Sequence, residues 1–186
     1  MYIIHKSGGK MKIAMLTGRE NHDSIYKEGF SCADPTLPEN IKISEKNYNM
    51  LVDYYKENPY VSGKDAPELK KFRRLAIAPA NPYWSPILPV ELEIKSFTDA
   101  KKYRYRGANG KDWIFYHRKP GCSYYDQYLS YTTADVIIFN SAKYLSEVDM
   151  GRNPLREVDL IDEAVVFFDN LFQQRELNIT LGAGGF

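Results

Sequence analysis

Cysteine and histidine are scarce here, with two and three respectively in 186 residues. Cys32 and Cys122 are too few for a disulfide framework. Neither they nor His5, His22 and His117 fall into a metal-ligand spacing. No metal and no cofactor are therefore expected. No stretch reaches the roughly 18 apolar residues that a membrane span needs, and residues 1–10 hold no apolar leader core. The expectation is a protein without a membrane partner in a reducing, cytoplasmic compartment. The glycines make no G-x-G-x-x-G opening a helix, and G-x-x-x-x-G-K-[ST] is absent, which argues against a dinucleotide oxidoreductase or a P-loop NTPase.

Net charge is nearly absent too, at +1, but the charges are unevenly spread. Lys95, Lys101, Lys102, Arg104, Arg106, Lys111, Arg118 and Lys119 face only Asp99 and Asp112 in that stretch, whereas the region after Leu145 is acidic. Tyrosine is in excess, at 15 residues. With an apolar face and a hydroxyl, it serves a core or a sugar-contacting, stacking surface equally well.

The length suits one domain able to bury a core without staples. Residues 1–10 read as an N-terminal extension and 11–186 as a single α/β domain. Lys12–Thr17 and Val136–Phe139 are apolar runs suited to strands buried on both faces. Asn153 and Pro154 read as the start of a helix over 154–173, with Val158, Ile161, Val165, Phe168 and Phe172 as its buried stripe. A strand at Leu177–Leu181 follows. Ser44 precedes a helix with apolar Tyr48, Leu51, Val52 and Tyr55, ended by Asn58-Pro59. Leu75–Ala78 suggests a short strand, and Pro89–Phe97 alternates like a half-buried one. Tyr103–Arg106 and Trp113–His117 flank Gly107-Ala-Asn-Gly110 as a hairpin, and a short helix is expected over Asp126–Tyr131. The fold class expected is α/β: a single Rossmann-like domain with a mainly parallel sheet and an inserted β-hairpin.

Open α/β sheets bind ligands beyond the carboxyl ends of their strands. Gly18, Arg19, Glu20 and Asn21 follow the first strand, Asn140 and Ser141 follow Phe139, and Gly182–Gly185 follow the last. Lys102, Arg104 and Arg106 share one face of the hairpin, with His117 and Arg118 at its exit. They suit phosphate, which makes nucleic acid an admissible partner, or else protect a sheet edge against aggregation. His117 and Cys122 could pair as base and thiolate, but no third group orients them.

Two sets of residues resemble known families. Glu93-Ile-Lys95, beside Glu91, resembles the E-x-K half of the PD-(D/E)XK nuclease core, which implies a metal-dependent nuclease. The acidic partner expected upstream is missing, because no Asp or Glu lies between Glu68 and Glu91. Ala134-Asp-Val-Ile-Ile-Phe-Asn-Ser141 and Met11–Gly18 resemble strands of GT-B glycosyltransferase N-terminal domains. The former run also resembles nucleoside 2-deoxyribosyltransferase-like domains, in which a helix after the strand and loop bears a catalytic Glu. That resemblance places Glu157 near the site, so Glu157, or Glu20 from the end of the first strand, is expected as base or nucleophile. It also implies Asn140 and Ser141 as sugar-hydroxyl contacts. Arg104, Arg106 and His117 would then hold phosphate, with Gly18 and Arg19 at the strand end. The function expected is binding of a nucleotide, nucleoside or sugar nucleotide, with glycosyl transfer as the favoured reaction. The alternatives are the nuclease and a non-enzymatic nucleic-acid or protein-binding module.

Overall fold

Strands that are far apart in sequence meet in two small sheets. The computed structural model describes residues 2–4, 10–61, 65–162 and 164–165. One sheet has the order β1–β2–β6, from Tyr2–Ile4, Lys10–Leu16 and Val136–Phe139. The other has the order β3–β5–β4, from Ile87–Pro89, Asp112–His117 and Lys101–Arg106. The helices are α1 (Tyr48–Glu57), α2 (Arg74–Ile77), α3 (Ser123–Asp126), α4 (Ser130–Thr133) and α5 (Ser141–Asp149). The class is mixed α/β, with one parallel pair and an antiparallel three-stranded sheet.

The parallel pair is β2 and β6, with Ile13 opposite Val136 and Leu16 opposite Phe139. Asp135 fixes its register. Its Oδ2 accepts from Lys12 N at 2.7 Å, and its own N–H donates to the Lys12 carbonyl at 2.9 Å. Leu16 is fully buried, but Met15 is 67% exposed, so these strands are not covered on both faces as expected. The segment expected as an extension supplies β1, which pairs antiparallel with the start of β2.

The hairpin forms as its Gly107–Gly110 turn dictates, with Arg106 opposite Asp112 and Gly110 at φ 78°. Trp113, Ile114, Phe115 and Tyr116 of β5 are all buried, because β5 is the central strand of its sheet. They form the main core with Leu16, Phe97, Tyr105, Tyr124, Tyr125, Tyr128 and Tyr131. A second cluster of Ile41, Leu51, Tyr55, Phe72 and Ile77 seats α1 against α2. α1 ends before Asn58-Pro59, as expected.

Three expected elements take another form. The Pro89–Phe97 strand stops at Pro89, and Val90–Leu92 is a tight 3-10 turn. The Ile94 N–H donates to the Tyr116 hydroxyl at 2.9 Å rather than to a neighbouring strand. Leu75–Ala78 is largely helical, in α2, which Arg74 anchors by donating to the Pro38 and Ile41 carbonyls. Residues 154–162 are not helical: Gly107 and Pro154 form a β-bridge, and Leu155 N–H donates to the Arg106 carbonyl at 2.7 Å. That edge pairing takes the place of the helix start read at Asn153-Pro154. Phe168, Phe172, the strand at Leu177–Leu181 and Gly182–Gly185 lie outside the described residues.

The chain divides into two units, Met1–Leu155 and Arg156–Phe186. In the second, Arg156 pairs with Asp159, Val158 and Leu160 are exposed, and residues 164–165 are helical. No helix among the described residues is long and apolar enough to cross a membrane.

Candidate functional site

Beyond Leu16 the chain needs a new partner for its ladder, and the side-chain amide of Gln127 supplies it. Gln127 Oε1 accepts from Thr17 N–H at 3.0 Å, and its Nε2 donates to the Thr17 carbonyl at 3.2 Å. The clamp holds the end of β2 against the turn that follows α3. Gly18 then leads a 3-10 turn, Arg19–Asn21, where a Cβ on Gly18 would collide with the Glu20 carboxylate. Arg19 NH1 donates to Asn40 Oδ1 at 2.7 Å, and its guanidinium lies 4.7 Å from the Tyr124 ring centroid. Burial works against this cation, but Tyr125, Tyr124 and Glu39 hold its pKa above the ordinary value. His22 bridges Thr17 Oγ1 and Ser123 Oγ, each at 2.8 Å. Burial and then Lys143 push its pKa down.

At the end of β6, Asn140 caps α5 by accepting from Lys143 N–H at 2.7 Å. One turn apart on that helix, Lys143 and Glu147 point into the core. Glu147 is fully buried and heavily bonded. It receives Lys143 Nζ at 2.8 Å, Arg152 Nε and NH2 at 2.6 and 2.7 Å, and the Tyr131 hydroxyl at 2.9 Å. Burial opposes ionisation of Glu147, but Arg152 and Lys143 outweigh it and keep the carboxyl below its ordinary range. Tyr128 accepts from Lys143 Nζ at 2.6 Å and touches the Tyr124 hydroxyl at 3.0 Å. Lys143 and Arg152 thus bring two positive charges to Glu147 beside these two phenols, and Arg19 adds a third over the Tyr124 ring. Burial alone would raise the Tyr124 pKa; Arg19 and Lys143, with the Tyr128 bond and Arg152, bring it below the ordinary 10.

A cavity of about 210 Å³ opens on this cluster, lined by Arg19, Glu39, Arg74, Trp84, Ser85, Pro86, Ile87, Tyr124, Tyr125, Tyr128 and Arg152. Glu39 Oε1 accepts from Asn81 Nδ2 at 2.9 Å and from the Tyr125 hydroxyl at 3.3 Å. Its Oε2 is buried with no partner among the described residues. Burial pushes the Glu39 pKa up, which weakens its opposition to the cations. A larger hollow, about 470 Å³, is walled by Lys42, Ser44, Glu45, Lys46 and Asn47. None of those residues is buried, so it is open surface rather than a site.

Of the residues singled out from sequence, only Arg19 lines the cavity. Gly18 shapes its turn, and Glu20 is exposed. Asn140 is occupied as a cap, and Ser141 is exposed at the start of α5. Arg104 pairs with Glu93 and Arg106 with Asp112 on the outer face of the hairpin. His117 is bound to Asp126 at 2.7 Å, not to Cys122. The Cys122 thiol instead meets Cys32 in the core; that bond is the main reason its pKa is lowered to about 7, while that of Cys32 is raised. Glu157 is exposed and belongs to the second unit. Glu93 is held by Lys102 at 2.7 Å and Arg104 at 3.3 Å, with Glu91 and Lys95 exposed nearby. Among the described residues no three His, Cys, Asp or Glu side chains gather as a metal site would require.

Sequence reasoning missed Glu39, Lys143, Glu147 and Arg152, and read the tyrosines only as composition. One signal was available: Tyr124, Tyr128 and Tyr131 fall at i, i+4 and i+7, the spacing of one helical face. No protein-family model, curated protein or solved structure matches the chain.

Proposed function

We propose that this protein binds a small anionic metabolite of the sugar-phosphate or nucleotide class in the cavity that Arg19 lines just beyond the end of β2. One observation carries the reading. Arg19 stands charged in the cavity wall, donating to Asn40 Oδ1 at 2.7 Å and lying over the Tyr124 ring. Lys143 also sits on that ring, with Arg152 over the neighbouring Tyr128 ring. A guanidinium with donors to spare, over an aromatic wall, suits a phosphate or carboxylate joined to a polar body. The volume is below the roughly 300–1,000 Å³ of drug-sized pockets, which favours a sugar phosphate or the phosphate end of a nucleotide. In this reading β2, β6 and α5 form the ligand-binding edge of a Rossmann-like domain. The carboxyl available for glycosyl transfer is then Glu39, rather than Glu20 or Glu157.

Titration calorimetry with inorganic phosphate, AMP and ribose 5-phosphate at low salt tests the reading. Binding should weaken at least about tenfold in Arg19→Ala, and added salt should weaken it further. Failure of all three anions to bind, or equal binding by Arg19→Ala, removes it.

A further inference from the structure

The two phenols at the centre of the cation cluster do not play the same part. Tyr128 is surrounded: its oxygen accepts from Lys143 Nζ at 2.6 Å, with Arg152 NH2 and Glu147 Oε1 each at 3.4 Å. Its remaining short contact is the Tyr124 hydroxyl at 3.0 Å, closer than Glu147, so its proton is best placed toward Tyr124. Tyr124 therefore stands at the accepting end of this chain and lines the cavity.

We propose that Tyr124 determines which anion the cavity selects, its phenol oxygen accepting a hydrogen bond from a hydroxyl of the ligand, so that a hydroxylated phosphate ester is preferred to one without hydroxyls. The proposal rests on the anion-binding reading above and names the substrate class within it. The cations packed around Tyr124 act in one direction, against the burial that opposes its ionisation. Arg19 lies 4.7 Å from its ring centroid and Lys143 Nζ 5.4 Å. The His22 and Tyr125 rings approach edge-on at 5.6 and 5.0 Å. Arg152 adds positive charge from beside Tyr128. Burial opposes ionisation of the Tyr124 oxygen, but the cations outweigh it and bring its pKa below the ordinary 10. An ionised phenol oxygen has three lone pairs and no proton. Tyr128 meets one of them at 3.0 Å, which leaves room for a donor on the ligand. An anion lacking a donor meets only the repulsion of that oxygen, whereas a sugar phosphate turns the same oxygen into an attraction.

The two cases differ in their pH dependence. Ribose 5-phosphate and ethyl phosphate are both phosphate monoesters, so their affinity ratio compares a hydroxylated body with an unhydroxylated one, and its change in Tyr124→Phe isolates the phenol. In the wild-type protein ribose 5-phosphate should bind about tenfold or more tightly than ethyl phosphate at pH 7.5, the scale of a hydrogen bond to a charged group. The ratio should grow at pH 9 as more of Tyr124 ionises. Tyr124→Phe should still bind ethyl phosphate and should bring the ratio near one at both pH values. A wild-type ratio near one, a ratio that stays constant or falls between pH 7.5 and 9, or a ratio that survives in Tyr124→Phe overturns the proposal. The pH trend needs only the wild-type protein and stands even if the variant does not fold. If neither ester binds the wild type, the anion-binding reading itself has failed. If both bind equally and depend on Arg19, only the role of Tyr124 has.

Discussion

Arg152 grips Glu147 at both carboxylate oxygens, Nε to Oε2 at 2.6 Å and NH2 to Oε1 at 2.7 Å. Glu147 is fully buried, so the ion pair has no water to fall back on. Replacing such a carboxylate leaves its cations desolvated and uncompensated. Glu147→Gln should therefore cost about 3–5 kcal/mol in urea unfolding, because Arg152 and Lys143 both lose their counter-charge. The pH dependence has a definite sign. The folded pKa of Glu147 lies below its ordinary 4.5, so its contribution is complete above that value and is lost as pH falls through the folded pKa. The variant should lack that acid-side loss.

Glu39 should behave in the opposite sense. Its folded pKa is raised by burial above the ordinary 4.5, so the folded protein holds a proton that the unfolded chain has released. Stability from this group is complete below 4.5 and declines as pH rises through the folded value. In Glu39→Gln the Asn81 and Tyr125 bonds can both persist on the amide oxygen. Thermal unfolding followed from pH 4.5 upward should show a decline in the wild type that is smaller in the variant. Parallel curves would mean that Glu39 does not titrate in this range.

Short-range signals were read well from sequence where a turn or a pleat decides the element. The 103–106 and 113–117 hairpin, the Val136–Phe139 strand and the stop of α1 at Asn58-Pro59 all stand where local chemistry puts them. Readings failed where a distant partner decides. Asn153-Pro154 has the residues of a helix start, yet the edge of β4 takes up Leu155 N–H instead. Pro89–Phe97 alternates like a strand, but its ladder ends at Pro89. Sequence also pointed to the end of β2, where Arg19 lines a cavity. The groups that meet Arg19 there come from residues 39, 40, 124 and 125, and no local spacing links the first two to the tyrosines.

Asn140 offers a test between cap and ligand contact. Its Oδ1 is committed to the Lys143 N–H, the first turn of α5. Asn140→Ala should cost about 1 kcal/mol of stability, the usual loss for an N-cap. Binding of inorganic phosphate should stay within a factor of about three, since α5 remains anchored by Lys143 and Glu147. A large loss of affinity with no loss of stability would return Asn140 to the ligand.

The basic hairpin gives the last prediction. Sequence alone groups Lys102, Arg104 and Arg106 as a phosphate-binding face. In the folded chain Lys102 and Arg104 converge on Glu93, and Arg106 pairs with Asp112 across the strands. Their charge is largely cancelled within the hairpin, and the pairs are exposed enough to be worth only about 0–1 kcal/mol each. Arg104→Ala combined with Arg106→Ala should therefore change urea stability by no more than about 2 kcal/mol. It should leave sugar-phosphate affinity unchanged, because the cavity is lined by other residues. Fluorescence anisotropy with a short single-stranded DNA at low salt examines the remaining use of this face. If these arginines hold nucleic acid, the double variant should bind more weakly and show a shallower salt slope, by about one unit for each phosphate it no longer neutralises. Identical titrations for wild type and variant assign the two arginines to protecting the exposed edge of β4.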